Sequence, residues 1–135
     1  MSEAERVLRR YYREVWEHGR LDVLDELLAD GYTDHDPPPG FGSDRASARR
    51  LVAAFTAGLR GPRLVILALV AGPETAAAHW RLEWLQAGPF LGDPAADGRR
   101  LSMRGADLIR VVEGRITDVH HVENVLATQR MAGPA

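Results

Sequence analysis

Apolar side chains recur at intervals of three and four up to Gly61-Pro62 and at intervals of two beyond it. In the first segment Val7, Leu8, Tyr11, Tyr12, Val15 and Trp16 fall on one helical stripe. Ser2-Glu3-Ala4-Glu5 is a capping box that starts this helix, and Gly19 ends it near His18. A second, short helix is predicted from about Leu21 to Leu28, with Leu24, Leu27 and Leu28 facing inward. Asp30 to Gly42 contains three prolines and three glycines, which exclude regular structure beyond a short strand at Tyr32-Thr33. Ser43 or Asp44 caps a third helix that reaches about Gly58 and turns Ala48, Leu51, Val52, Phe55 and Leu59 inward.

Beyond Gly61-Pro62 the pattern is that of strands. Arg63 to Ala71 is almost wholly apolar, which predicts a strand buried on both faces. Thr75 to Ala87 alternates: Ala76, Ala78, Trp80, Leu82, Trp84 and Gln86 share one face, and His79, Arg81 and Glu83 the other. After a loop from Gly88 to Gly98, strands are predicted over Arg100 to Val112 and Arg115 to Val125, joined by a hairpin turn at Glu113-Gly114. Three helices followed by an antiparallel meander make one α+β domain over residues 1–135, with the helices gathered on one side of a curled sheet. A sheet of that shape, closed at its mouth by helices, is a cone whose interior is a ligand pocket.

Composition narrows the chemistry. The chain has 135 residues, of which 45% are hydrophobic and 27% charged, enough for one ordinary core. Its net charge of −2 offers no basic face to nucleic acid. Nothing approaches a membrane-spanning run or a signal peptide, so the expected location is the cytoplasm. There is no cysteine, which excludes thiol nucleophiles and thiolate metal sites. All 17 basic residues are arginine, which excludes lysine Schiff bases. His120 and His121 are adjacent on a strand and point to opposite faces, so they cannot chelate one ion; the pattern offers no metal site and implies no cofactor.

Between Arg100 and Val112 the arginines at 100, 104 and 110 mark one face as solvent or a subunit interface. The other face carries Met103, Gly105, Asp107, Ile109 and Val111. Asp107 is thus a carboxylate among apolar neighbours, a setting that raises its pKa towards neutrality and suits it to acid/base work. In the last strand Ile116 and Val122 lie on one face and Val119 and Val125 on the other, so periodicity alone does not choose the inward one.

Several stretches resemble SnoaL-like polyketide cyclases of the nuclear transport factor 2-like superfamily. They are Tyr11-Tyr12 through Val15-Trp16 to Leu24-Leu27-Leu28; Gly31-Tyr32-Thr33-Asp34-His35-Asp36-Pro37; Gly88-Pro89-Phe90-Leu91-Gly92; Arg104-Gly105-Ala106-Asp107-Leu108-Ile109-Arg110-Val111; and Glu113-Gly114-Arg115-Ile116. The resemblance covers nearly the whole chain and implies the cone-shaped α+β barrel. It also implies a cofactor-free acid/base enzyme that closes a ring by an intramolecular aldol reaction on a small, largely apolar, ketone-bearing substrate. The family's last strand commonly carries an H-W-D pattern with a second Asp three residues on; here His120, His121 and Asn124 occupy the Trp and two Asp positions. Gln86 stands where a His is common.

The family pattern turns His121 inward, across the hairpin from Asp107, and makes this pair the expected catalytic residues. Tyr32 and His35 are expected at the mouth of the pocket. Trp80, Trp84, Gln86, Met103 and Asn124 are the further candidates for substrate contact, with core packing the alternative for the tryptophans. Two rival functions follow from the same fold. One is an isomerase or an epoxide hydrolase, of which the epoxide hydrolases of this superfamily have an arginine between two pocket carboxylates. The other is a binding module for a small apolar ligand. The superfamily also implies a homodimer through the outer face of the sheet, with His79, Arg81, Glu83, Arg100 and Arg110 on that face.

Overall fold

The computed structural model describes residues 1–132. Helix α1 (Glu3–Arg10) starts where the Ser2 hydroxyl accepts the Glu5 amide at 3.1 Å. It runs on as a wider π-helical segment (Tyr11–Glu17) that ends at Gly19, a residue at φ 65°. Then come α2 (Leu21–Leu27), β1 (Leu28–Asp34), α3 (Arg45–Thr56), β2 (Leu59–Ala71), β3 (Thr75–Gln86), β4 (Arg100–Val112), β5 (Arg115–Glu123) and α4 (Val125–Ala132). Asp44 caps α3 by accepting the Ser47 amide.

The strands form one curved sheet in the order β1-β5-β4-β3-β2, with helices on its concave side: an α+β cone. The inward faces of β3 and β4 carry the core, from Ala76 to Trp84 on one and from Leu101 to Val111 on the other. Tyr11, Trp16, Phe55, Trp84 and Phe90 meet edge-on or tilted, with centroids 5.7–6.3 Å apart, and knit the helices to the sheet. Among the described residues no helix is long and apolar enough to cross a membrane.

Four expectations are corrected. The sheet is not wholly antiparallel, because β1 lies parallel to β5 with Asp34 opposite Val119. The chain crosses from β1 to the far edge through α3, so no hairpin ties the direction of β1 to that of its neighbour. β1 itself is longer than Tyr32-Thr33. The strand at Arg63 to Ala71 is not buried on both faces: β2 is the edge of the sheet, with Leu67 and Val70 40% and 72% exposed. Its register slips between Ile66 and Ala68, and this bulge lets both Ile66 and Leu69 pack inward. Finally, the last strand stops at Glu123 and a fourth helix begins at Val125. That helix is anchored by the Thr128 hydroxyl, which donates to the Ser102 carbonyl at 2.7 Å.

A second slip settles the inward face of β5. Arg110 pairs with Asp118, but Val111 pairs with Ile116, leaving Thr117 as the extra residue. Ile116 and Val119 are therefore both buried although their numbers differ in parity, and His121 follows Val119 inward.

Candidate active site

A cavity of about 340 Å³ opens between the helices and the concave face of the sheet. Its walls are aromatic and aliphatic: Tyr11, Tyr12, Trp16, Tyr32, Phe55, Trp80, Phe90, Met103 and Val119 among others. Its charged lining is Asp34, Asp36, Asp107, His121 and Glu123, and no arginine reaches it.

Asp107 projects from the middle of β4. Its Oδ2 accepts the Tyr12 hydroxyl at 2.6 Å and the Trp80 Nε1–H at 2.9 Å. The π-helical turn buries Tyr11 and Tyr12 in succession and brings the Tyr12 hydroxyl to β4. Burial pushes the Asp107 carboxyl up to about 6; the Tyr12 hydrogen bond pulls it down, the nearby Glu123 charge pushes it up, and the His121 charge and the Trp80 hydrogen bond pull it down. Burial next to that carboxylate raises the Tyr12 hydroxyl well above the ordinary tyrosine range, so it stays a donor.

His121 sits directly opposite Asp107 on the β4–β5 ladder. Its ring does not bond Asp107. Nδ1 donates to Glu123 Oε1 at 2.6 Å, and Nε2 donates to Asp34, both of whose oxygens lie at 3.0 Å. Burial alone lowers the imidazole pKa, but Glu123 and Asp34 outweigh it and lift His121 to about 9. The ring is thus a cation at neutral pH, clamped between two carboxylates. One oxygen or nitrogen from each of Asp107, His121 and Glu123 lies within 4.8 Å of the others. A cation placed there would have to displace a proton from the imidazole, both of whose nitrogens are bonded to carboxylates.

The Asp34-His35-Asp36 turn is stitched to β5. The His35 amide donates to the Val119 carbonyl, the Asp36 amide to Asp34 Oδ1, and the His121 amide to Asp36 Oδ2. This fixes Asp34, 5% exposed, under the imidazole.

Of the residues singled out in the sequence, Asp107, His121, Tyr32, Trp80 and Met103 line the cavity. The others do not. His35 lies outside, stacked on His120 at 4.2 Å and bonded to Asp118 at 2.8 Å. Trp84 is fully buried, and its Nε1–H donates to Gln86 Oε1, while Gln86 Nε2 donates to the Pro89 carbonyl. Asn124 Oδ1 accepts the Arg104 amide at 2.7 Å and closes the end of the ladder. Arg104 and Arg110 are exposed. Asp34, Tyr12 and Glu123 were not among the candidates. Tyr12 reads as core because its ring is core and only its hydroxyl works. Asp34 has a signal, since Tyr32 and Asp34 share a face at strand spacing once β1 is extended.

A family model of a SnoaL-like domain matches residues 8–119. No curated protein matches the chain. Among solved structures it is similar to TsrD from Streptomyces laurentii, with 22% identity over 97% of this chain and 95% of that one and a TM-score of 0.82. It is also similar to IdmH from Streptomyces antibioticus, with 21% identity over 97% and 99% of the two chains and a TM-score of 0.80. A SnoaL-like polyketide cyclase from Agrobacterium tumefaciens superposes with a TM-score of 0.75 at 20% identity, over 98% and 100% of the two chains. At these identities the likeness is one of fold.

Proposed function

The chain belongs to the SnoaL-like domain family, and on that premise we propose that it is a cofactor-free acid/base enzyme that cyclises a polyketide or related ketone by an intramolecular aldol reaction. The observation that carries this reading is the Asp107 carboxylate, held by two donors in an apolar cavity with its pKa lifted to about 6. Such a group is mostly ionised at neutral pH yet basic enough to take a proton from carbon next to a carbonyl.

In the proposed reaction Asp107 removes that proton. The resulting enolate carbon attacks a second carbonyl of the same molecule, one carbon–carbon bond forms, and the new alkoxide takes the proton back from Asp107. Tyr32 is the proposed partner of the reacting carbonyl oxygen. It is 6% exposed, lines the cavity, and its hydroxyl has no partner among the described residues. Burial keeps that hydroxyl protonated. His121 contributes charge rather than a travelling proton, because both ring nitrogens are engaged. Its positive charge offsets Asp34 and Glu123 and so keeps Asp107 from rising further.

The epoxide hydrolase alternative requires an arginine in the pocket, and none lines it. A pure binding module does not need a carboxylate tuned in this way. The working unit is a homodimer through the outer sheet face. There Val70, Ala77, Leu108 and His120 form one row across four strands, and Ala68, His79, Ala106 and Val122 the next. Val70, Leu108 and Val122 are 72%, 45% and 69% exposed, apolar surface that a partner would cover. The test of function is to incubate the protein with linear poly-β-ketones and follow ring formation. Conversion is expected with the native chain and absent with Asp107→Asn; equal conversion by both would overturn the reading.

A further inference from the structure

Trp80 and Gly105 are cross-strand partners on the β3–β4 ladder, and Asp107 lies two residues beyond Gly105 on the same face. The indole lies against the Gly105 backbone so closely that a β-carbon at position 105 would stand 2.3 Å from Cζ2 and 2.8 Å from Cε2 and Cη2. These are atoms of a rigid ring, and carbon atoms pack at about 3.5–4.0 Å. Any side chain at 105 must therefore tip the indole away or part the strands. The backbone there is ordinary extended strand, so glycine is required by space and not by conformation. What the close approach achieves is visible on that same edge of the ring, where Nε1–H, one bond from Cε2, reaches Asp107 Oδ2 at 2.9 Å. The Tyr12 hydroxyl reaches the same oxygen from the helical side. Among the described residues nothing donates to Oδ1.

We propose that Gly105 is a positioning residue for Asp107: its bare backbone seats Trp80 so that indole and Tyr12 together hold Oδ2, leaving Oδ1 as the oxygen that meets the ligand. This rests on the reading of Asp107 as the acid/base. It assigns a role to a glycine that touches no substrate, and it separates the two oxygens of one carboxylate into a held one and a working one.

The experiment is a carbon-13 NMR titration of the Asp107 carboxyl in the full chain, read without substrate. Trp80→Phe removes the donor while leaving a ring that clears position 105. Its midpoint is expected to rise by about half a unit to one unit above the native value. Gly105→Ala is expected to give the same rise by displacing the indole. The double variant is expected to rise no further than either single, because one hydrogen bond is lost once. Should Gly105→Ala fail to fold, the double variant with the smaller ring at 80 is expected to restore folding. A folded Gly105→Ala with the native midpoint, an unchanged midpoint in Trp80→Phe, or a double variant equal to the sum of the singles would each overturn the proposal. If the midpoint moves but ring closure by Gly105→Ala stays native, the positioning stands and the acid/base reading of Asp107 falls.

Discussion

Asp107 and His121 are direct partners across the β4–β5 ladder, yet their hydrogen bonds run in opposite directions: Asp107 to Tyr12 and Trp80, His121 to Asp34 and Glu123. The two side chains thus influence each other through charge alone. That arrangement separates a tunable carboxylate from a fixed cation, and the consequences differ for the two.

Activity is expected to follow a bell-shaped pH profile. Asp107 must be ionised, so kcat/KM rises through about pH 6. His121 must keep its charge, so activity falls through about pH 9. A steady-state profile checks this; a single rising limb that persists to pH 10 would remove His121 from the account.

Stability follows the same imidazole. The folded pKa of about 9 lies above the ordinary 6.5, so the His121 contribution is complete below about pH 6.5 and is lost as pH rises through 9. Asp34→Asn removes one of the two carboxylates that hold the cation. It is expected to lower the His121 midpoint by about one unit, seen by NMR, and to flatten the fall of Tm between pH 6.5 and 9.

Gln86 is expected to matter for stability and not for substrate. Gln86→Ala strands the buried Trp84 N–H and the Pro89 carbonyl, which costs about 1–3 kcal/mol in denaturant unfolding. KM should stay native, since Gln86 lies outside the cavity wall.

The outer sheet face supplies the dimer prediction. Leu108→Glu and Val122→Glu put one charge in each of the two rows, on the neighbouring strands β4 and β5. Light scattering should report a dimer for the native chain at micromolar concentration and a monomer for the double variant, with the fold intact by circular dichroism.

The sequence carried the fold further than the site. Alternation in β3 and β4 placed Trp80, Met103 and Asp107 inward, and both strand boundaries were legible because polar and apolar positions alternate cleanly there. Where a residue is inserted, alternation fails: Leu67 and Thr117 shift the parity of β2 and β5, and neither leaves a sequence mark. Of the two partners of His121, Glu123 shares its face at strand spacing, and Asp34 was hidden for a different reason. Asp34 comes from a strand 87 positions away in sequence that lies parallel to β5, a pairing no hairpin announces. A family resemblance can say that an imidazole faces inward, but what it meets depends on that pairing.

In the proposed reaction Asp107 moves a proton to and from carbon. The most direct measurement is proton NMR of a β-diketone in deuterated water, following exchange of its acidic C–H with the protein present. The native chain is expected to accelerate exchange with a midpoint near pH 6, and Asp107→Asn, folded to the same degree, to lose about 10²–10⁴ of that acceleration. Exchange that is equally fast with Asp107→Asn would contradict the proposed reaction.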